Sequence, residues 1–415
     1  MLQRVGMLPT YACSQTKDCW LAPKMSLSKK IIYARKVLPG GTWRALRALV
    51  REPVHLIMAV ADHFEPAIDP EDGQKRVPRP EQERRLQWWS REYPRAADRW
   101  RDHEGRPFVH TYFYPAEQYD EGLLEILAEH CRSGWGETEI HLHHGIPHPD
   151  TAENARRVLT EFRDQLALRH RCLSAEAGSE QPRYCFVHGN FALANSAGGR
   201  FCGVDSEMQV LADTGCYADF TLPTGVFHPA QTAKINSLYE CGGPLDQTAP
   251  HQTGRDLSAG RAPRIFPLIV QGPLLTDFAR SRRAFRPTFE TGAITAPNPM
   301  TLERLALWKQ ARICVGGRPD WLFIKLHCHG MDPTQKDAVI GGLFQRFLEE
   351  LVSGASERKE TLHFVSAREM ANIILAACDG KEGNPGAYRD YRFKRLRDMP
   401  AAAERSDSLP VAVKG

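Results

Sequence analysis

Short apolar segments with the character of strands alternate along this chain with segments that have the periodicity of amphipathic helices. The strand-like segments lie at residues 53–61, 108–114, 183–187, 264–270, 321–326 and 361–365, and the helix-like segments at residues 81–102, 117–131, 152–168, 302–311, 337–351 and 367–377. We expect Pro94 to break the first of these helices. Such alternation is typical of an α/β domain with a largely parallel sheet or barrel. A chain of 415 residues is long enough for one large α/β domain with extensions, or for two domains.

The charge of the chain is unevenly distributed. Its net charge is +4, but residues 1–52 hold ten Lys or Arg against two acidic residues, a local net charge of +8. We therefore predict a basic N-terminal extension at residues 1–52, an α/β domain at 53–378 and a polar C-terminal tail at 379–415. Aromatic residues lie among the charges of the extension, which suits peripheral contact with an anionic membrane surface. An extension without a binding role is the alternative.

Several classes of protein are disfavoured by the sequence. No apolar run approaches the ~18 residues of a transmembrane helix, and none has the form of a secretory signal. The eleven cysteines are irregularly spaced and contain no CxxC pair, which favours reduced thiols in a cytoplasmic protein. Basic residues are concentrated in the extension and no nucleic-acid-binding motif is present, so we expect no nucleic-acid partner.

Four histidines lie within eight residues after a strand-like alternation: His141, His143, His144 and His148. Imidazole is the commonest protein ligand for transition metals. His144 and His148 are four residues apart on a tight turn, a spacing at which two side chains can hold one ion. We therefore predict a divalent metal site here, with His141 in the core or supporting a ligand. The alternative is a hydrated loop in which the histidines only form hydrogen bonds.

Other polar residues also follow strand-like segments. The first segment ends at Asp62 and His63, with Glu65 close behind, and later ones end at His188 and His327. Because the carboxyl ends of parallel strands meet at one edge of a sheet, where active sites lie, we expect these side chains to converge.

The order of these motifs resembles that of the polysaccharide deacetylases, the NodB-type proteins of carbohydrate esterase family 4. The most specific match is Glu139-Ile140 followed by His144-Gly-Ile-Pro-His148-Pro149, and the similarity covers roughly residues 54–375. Asp62-His63 has His where the family has a second Asp. The family's Arg-x-Pro-Tyr and Asp-Trp motifs are matched only loosely, by His188-Gly-Asn-Phe191 and Asp219-Phe220, and its closing Leu-His is matched by Leu326-His327.

The resemblance implies a distorted (β/α) barrel and a divalent ion, zinc-like, held by His63, His144 and His148. It implies that Asp62 is the catalytic base and His327 the general acid. Four further residues are expected to contact the substrate: His188, Phe191, Asp219 and Leu326. Two carboxylates, Glu65 and Asp205, are alternative ligands of the ion.

We therefore expect a metal-dependent hydrolase that deacetylates an N-acetylated sugar or polysaccharide intermediate. Two alternatives stay open at this point. One is a catalytically silent deacetylase-like domain that binds glycan or partner proteins in surface-polysaccharide assembly, which the missing family Arg and Asp favour. The other is a metallohydrolase that acts on a different amide or an ester.

Overall fold

The computed structural model describes residues 53–72, 75–284 and 287–399. The strands are β1 (Val54–His63), β2 (His110–Pro115), β3 (Gly136–Leu142), β4 (Ser174–Glu176), β5 (Tyr184–His188), β6 (Cys216–Asp219), β7 (Leu238–Cys241), β8 (Gly254–Asp256), β9 (Leu268–Val270), β10 (Leu275–Thr276), β11 (Phe289–Glu290), β12 (Trp321–Cys328), β13 (Glu360–Phe364) and β14 (Phe393–Arg395). The helices are α1 (Arg79–Ala97), α2 (Glu121–Arg132), α3 (Ala152–Asp164), α4 (Glu207–Thr214), α5 (Phe278–Ala284), α6 (Leu302–Ala311), α7 (Lys336–Val339), α8 (Gly342–Ser353) and α9 (Ala367–Cys378).

A ten-stranded, mostly parallel sheet forms the centre of the fold, so the predicted α/β class is confirmed. The strand order is β12-β1-β2-β3-β5-β6-β9-β7-β8, and β13 also pairs with β1. Only β7 pairs in antiparallel fashion within this sheet, with β8 and β9. No strand pairing among the described residues joins β8 back to β12, so a closed barrel is not shown.

Side chains alternate across the sheet and divide the interior into two cores. On β1, Met58 and Val60 join the core that contains residues of α1, α2, α3 and α8. Ile57 and Ala61, which have the opposite parity, join the core that contains α9. Because successive strand residues point to opposite faces, the neighbours Asp62 and His63 are directed to opposite sides of the sheet.

Local sequence accounts for several helix boundaries. The predicted helix 117–131 begins only at Glu121, because the side chain of Asp120 accepts a hydrogen bond from the Leu123 N–H and caps the helix. Ser366 and Glu369 form a capping box at the start of α9. Pro94 does not break α1 as predicted. It lies inside the last turn of that helix, which ends three residues later at Ala97.

The chain beyond α9, predicted as a polar tail, belongs structurally to the same body as far as residue 399. Strand β14 pairs with β4, and Phe393 is buried with its ring stacked on Tyr217 at a centroid distance of 3.9 Å. The basic extension at 1–52 and residues 400–415 lie outside the described residues. Within the described ranges, no helix is both long and apolar enough to cross a membrane.

Candidate metal centre

Three groups of buried side chains bring potential metal ligands together among the described residues. Within each group the ligating atoms lie within 4.8 Å of one another. We name them the pocket cluster (Glu65, His141 and His143), the cysteine cluster (His144, His188, Cys202 and Glu207) and the Asp62 cluster (Asp62, His110 and Cys328).

The pocket cluster lies where β1, β3 and β12 end. His141 is on β3, His143 follows that strand, and Glu65 is two residues beyond β1. His63, His143 and His329 line a cavity of about 490 Å³. The ring of His63 is centred 4.8 Å from the rings of His141 and His329. Of the strand-end residues expected to converge, His63, Glu65 and His327 therefore lie on this face of the sheet, whereas Asp62 and His188 do not.

The carboxylate of Glu65 is fully buried among imidazoles. Its Oε2 accepts a hydrogen bond from Nδ1 of His329 at 3.0 Å. Its Oε1 lies 3.1 Å from Nε2 of His143 and 3.6 Å from Nε2 of His141. Neither that oxygen nor Nε2 of His63 or of His141 has a hydrogen-bond partner among the residues described. Buried polar atoms without partners are rare in folded proteins, and several in one place indicate a missing ion or water.

Hydrogen bonds on the side away from Glu65 fix the tautomers of His141 and His143. Nδ1 of His141 donates to the carbonyl of Val187 at 2.7 Å, and Nδ1 of His143 donates to Oε1 of Glu117 at 2.7 Å. In the neutral form each ring therefore directs an Nε2 lone pair at Glu65. Hydrogen-bond acceptors then face one another and repel. A cation between them removes the repulsion, and histidine ligands of metals are held by such outer hydrogen bonds.

The pKa values of the buried groups also favour a cation beside Glu65. Burial raises the pKa of Glu65, but the surrounding imidazoles of His141, His143 and His329 outweigh it and hold that pKa well below its ordinary value. Burial lowers the pKa of His143, yet the carboxylates of Glu117 and Glu65 raise it to about 10. Burial lowers the pKa of His63 well below its usual range. The site thus favours one positive charge close to Glu65, which a proton or a metal ion supplies.

The wall of the cavity is formed mainly by residues 224–228 and 287–298, together with Asn190 and Phe191. Phe191 packs near His63 and His327, with ring centroids 6.0 Å and 6.4 Å apart. His327 lines the same cavity, and its Nδ1 has no partner in the described part of the chain. Burial, together with the Lys325 ammonium, holds the pKa of His327 well below its ordinary value, so this imidazole is neutral at neutral pH.

The structure does not bring the predicted ligands His63, His144 and His148 together. His63 borders the cavity, whereas His144 belongs to the cysteine cluster. His148 is exposed and belongs to none of the three groups found in the described ranges. The spacing of four residues gives no pair, because His144 is buried in the cysteine cluster whereas His148 is exposed on the irregular turn at 145–150.

Asp62, predicted as the base, lies on the other face of β1 from the cavity. Its Oδ2 accepts a hydrogen bond from Nδ1 of His110 at 2.8 Å, and its Oδ1 accepts one from the Gly330 N–H at 2.6 Å. A Cβ on Gly330 would overlap this carboxylate and touch the ring of Trp89. These contacts place Asp62 in the core beside α1.

The residues predicted to contact substrate are dispersed. Phe191 lines the cavity, but Leu326 is buried in the core on the opposite face and His188 is in the cysteine cluster. Asp219 is buried and accepts hydrogen bonds from the N–H and hydroxyl of Thr221, and burial raises its pKa to about 7. Asp205 is exposed and accepts hydrogen bonds from nearby side chains.

Sequence reasoning gave Glu65 only a substitute role and did not select Glu117, Cys202 or Glu207. The parity of β1 was an available signal for Glu65, since residues 63 and 65 are two apart. No local signal marks the other three, which reach their sites from distant segments. Comparison with models of known protein families and with curated proteins gives no match, so the resemblance to the deacetylases stays a prediction.

Proposed function

We propose that this protein is a metal-dependent hydrolase whose metal centre is the pocket cluster. The observation that carries the proposal is the convergence of Glu65 Oε1, His141 Nε2 and His143 Nε2 beside a cavity, where the first two atoms have no hydrogen-bond partner among the described residues. His63, whose Nε2 also lacks a partner among the described residues, is the fourth candidate ligand. Imidazole and carboxylate ligands suit zinc, and a zinc ion supplies an acidified water and polarises a carbonyl.

The cavity favours a sugar-sized substrate. About 490 Å³ is typical of a small-molecule site. Its wall combines aromatic rings, such as Phe191 and Phe289, with the polar side chains of Asn190, Thr288 and Asn298. Rings pack on the apolar faces of a sugar, while amides and hydroxyls bond to its hydroxyl groups. We therefore propose deacetylation of an N-acetylated sugar or polysaccharide intermediate, on a sheet that is compatible with the deacetylase-type barrel.

Amide hydrolysis requires a group that takes a proton from water and a group that gives one to the leaving amine. Because Asp62 lies on the opposite face, we assign both transfers to His327. Its neutral ring accepts the proton as the water attacks, and the imidazolium then donates that proton to the amine nitrogen as the C–N bond breaks. Glu65 and Glu117 orient His329 and His143 through the hydrogen bonds described above.

The test combines metal analysis with an activity assay. Zinc-reconstituted wild type and the double variant H141A/H143A are compared for metal content and for acetate release from N-acetylated oligosaccharides. We expect the double variant to lose one metal equivalent and all acetate release, because two ligands are removed. H148A is the matched control, since His148 is exposed and outside the cluster.

Two outcomes would contradict parts of the proposal. Full metal retention by H141A/H143A would refute the pocket cluster as a metal site. A bound metal without acetate release from any N-acetylated sugar would refute deacetylation, and glycan binding in the same preparation would favour the silent-domain alternative.

A further inference from the structure

The cysteine cluster joins four separate parts of the chain. His144 lies in the turn after β3, His188 ends β5, Cys202 is in the following loop and Glu207 begins α4. Nε2 of His144 lies 3.0 Å from Nε2 of His188 and 2.8 Å from Oε1 of Glu207. Oε1 of Glu207 also lies 3.4 Å from Nε2 of His188. All four side chains are buried.

The outer contacts of this cluster leave its ligating atoms directed inward. Nδ1 of His144 donates to Oδ2 of Asp150 at 2.8 Å, and Nδ1 of His188 donates to the carbonyl of Gly189. In their neutral forms the two rings would therefore direct their Nε2 lone pairs at one another. Oε2 of Glu207 accepts the Ala194 N–H at 2.6 Å, so its Oε1 is the atom that faces the two rings.

The thiol of Cys202 lies 3.5 Å from Oε2 of Glu207, and burial and that carboxylate raise its pKa, so a cation is needed to hold it as a thiolate. The sulfur accepts backbone N–H groups from Asn195 at 3.3 Å and from Val204 at 3.4 Å. A neutral thiol is a weak acceptor, whereas a thiolate gains from both contacts. Thiolate and carboxylate together carry two negative charges, which balance a divalent cation in a buried site.

We propose that the cysteine cluster is a structural zinc site, with His144 Nε2, His188 Nε2, Cys202 Sγ and Glu207 Oε1 as ligands. Four ligands of nitrogen, sulfur and oxygen fit the tetrahedral preference of zinc and leave no open position for a reacting water. Binding displaces the thiol proton of Cys202 to solvent. This site is separate from the pocket cluster and does not depend on the proposed hydrolase activity.

The site also accounts for the loop between β5 and α4. Residues 189–206 contain little regular structure and include Ala194 and Phe201 at φ 46° and 65°, a strained conformation for non-glycine residues. The loop is packed tightly on the histidine turn, since a Cβ on Gly145 would overlap the backbone of Cys202. Asn190 and Phe191 of the same loop line the cavity. The zinc therefore holds one wall of the proposed substrate site in place.

A metal-free arrangement is the competing explanation. A protonated His144 would then donate to Glu207, and Cys202 would be an ordinary buried thiol. Cobalt substitution separates the two, because cobalt bound to a thiolate has a sulfur-to-metal charge-transfer absorption in the near ultraviolet. The pocket cluster contains no sulfur, whereas the Asp62 cluster contains Cys328, so loss of the absorption in C202S and its retention in C328S assign it to the cysteine cluster.

The experiment uses the full chain reconstituted with cobalt alone. We expect wild type to have the charge-transfer absorption, C202S to lose it together with one metal equivalent, and H141A/H143A to retain it. C172S is the matched control, because Cys172 is a free cysteine outside the three groups. Absence of the absorption from cobalt-loaded wild type would overturn the proposal, and so would its persistence in C202S. If C202S does not fold, retention of the absorption in both C328S and H141A/H143A supports the cysteine cluster, and its loss in C328S would overturn the proposal.

Discussion

Replacement of Glu117 by Gln tests how the pocket cluster holds its metal. The carboxylate of Glu117 accepts a hydrogen bond from Nδ1 of His143 at 2.7 Å and lies behind that ring, away from Glu65. Gln has nearly the same shape and keeps one acceptor oxygen for Nδ1, so E117Q removes the negative charge and the oxygen that accepts the His143 backbone N–H at 3.3 Å. The imidazole of His143 then becomes a weaker ligand, and its ring orientation is held less firmly.

The expected loss of zinc affinity follows mainly from the hydrogen bond between Nδ1 of His143 and Glu117. Partners that orient a metal-bound histidine contribute about 10–100-fold in metal affinity, or roughly 1.4–2.7 kcal/mol. Hydrogen bonds to charged groups exceed neutral ones by about 1 kcal/mol. E117Q, which retains a neutral hydrogen bond, should therefore weaken zinc binding at the pocket cluster by about tenfold. E117A removes the hydrogen bond entirely and should weaken zinc binding by about 100-fold, the upper end of that range.

Competition with a chromophoric chelator at neutral pH measures the affinity. Binding at the cysteine cluster provides an internal reference, since Glu117 makes no contact with it among the interactions of the described residues. E121Q is the matched control, because Glu121 is an exposed neighbour that pairs with Arg169 on the surface. Unchanged zinc affinity in both E117Q and E117A would refute the reasoning, since His143 could not then be a ligand supported by Glu117.

Two further predictions concern stability. Arg368 is buried and donates two hydrogen bonds to the Glu137 carboxylate, at 2.7 and 2.9 Å. R368A should lower the free energy of unfolding by about 3 kcal/mol, because the largely buried Glu137 is then left with a weak ion pair to Arg395, at 4.0 Å. Urea unfolding measures this loss, with R157A as the control. The ion pair of Arg157 with Glu161 is exposed, so R157A should lower the free energy of unfolding by less than about 1 kcal/mol. Equal losses in the two variants would contradict the prediction. Burial raises the pKa of Asp219 to about 7, so its protonated form favours the folded state and that contribution is lost as pH rises from about 4 to about 7. D219N should remove up to about 4 kcal/mol of this pH dependence, and parallel stability curves for wild type and D219N would show that the carboxyl does not titrate in this range.

The α/β class was predictable because it rests on local periodicity, which the chain carries throughout. Strands β1, β12 and β13 are long or apolar enough to be predicted from their own residues. Short strands such as β4 and β14 were missed, since each has only three residues and forms through its contact with the other. That contact joins residues far apart in the sequence, and no local pattern encodes it.

The candidate site was predictable in its location but not in its membership. The strand-end rule placed the histidines at one edge of the sheet, and His63 and His327 do border the cavity. That rule does not say which nearby carboxylate lies on the same face of the sheet as His63. Alternation along the strand places Asp62 on the opposite face and Glu65 on the same face. His144 contacts Glu207 across 63 positions of sequence, a partnership that spacing within a motif does not reveal.

The central claim is that a metal ion binds between Glu65, His141 and His143. Diffraction from crystals of the zinc-reconstituted protein, with data collected on both sides of the zinc absorption edge, tests it most directly. We predict an anomalous peak about 2.0–2.2 Å from Glu65 Oε1 and from Nε2 of both histidines. Absence of a peak at that position, with ordered side chains and zinc in the crystal, would contradict it.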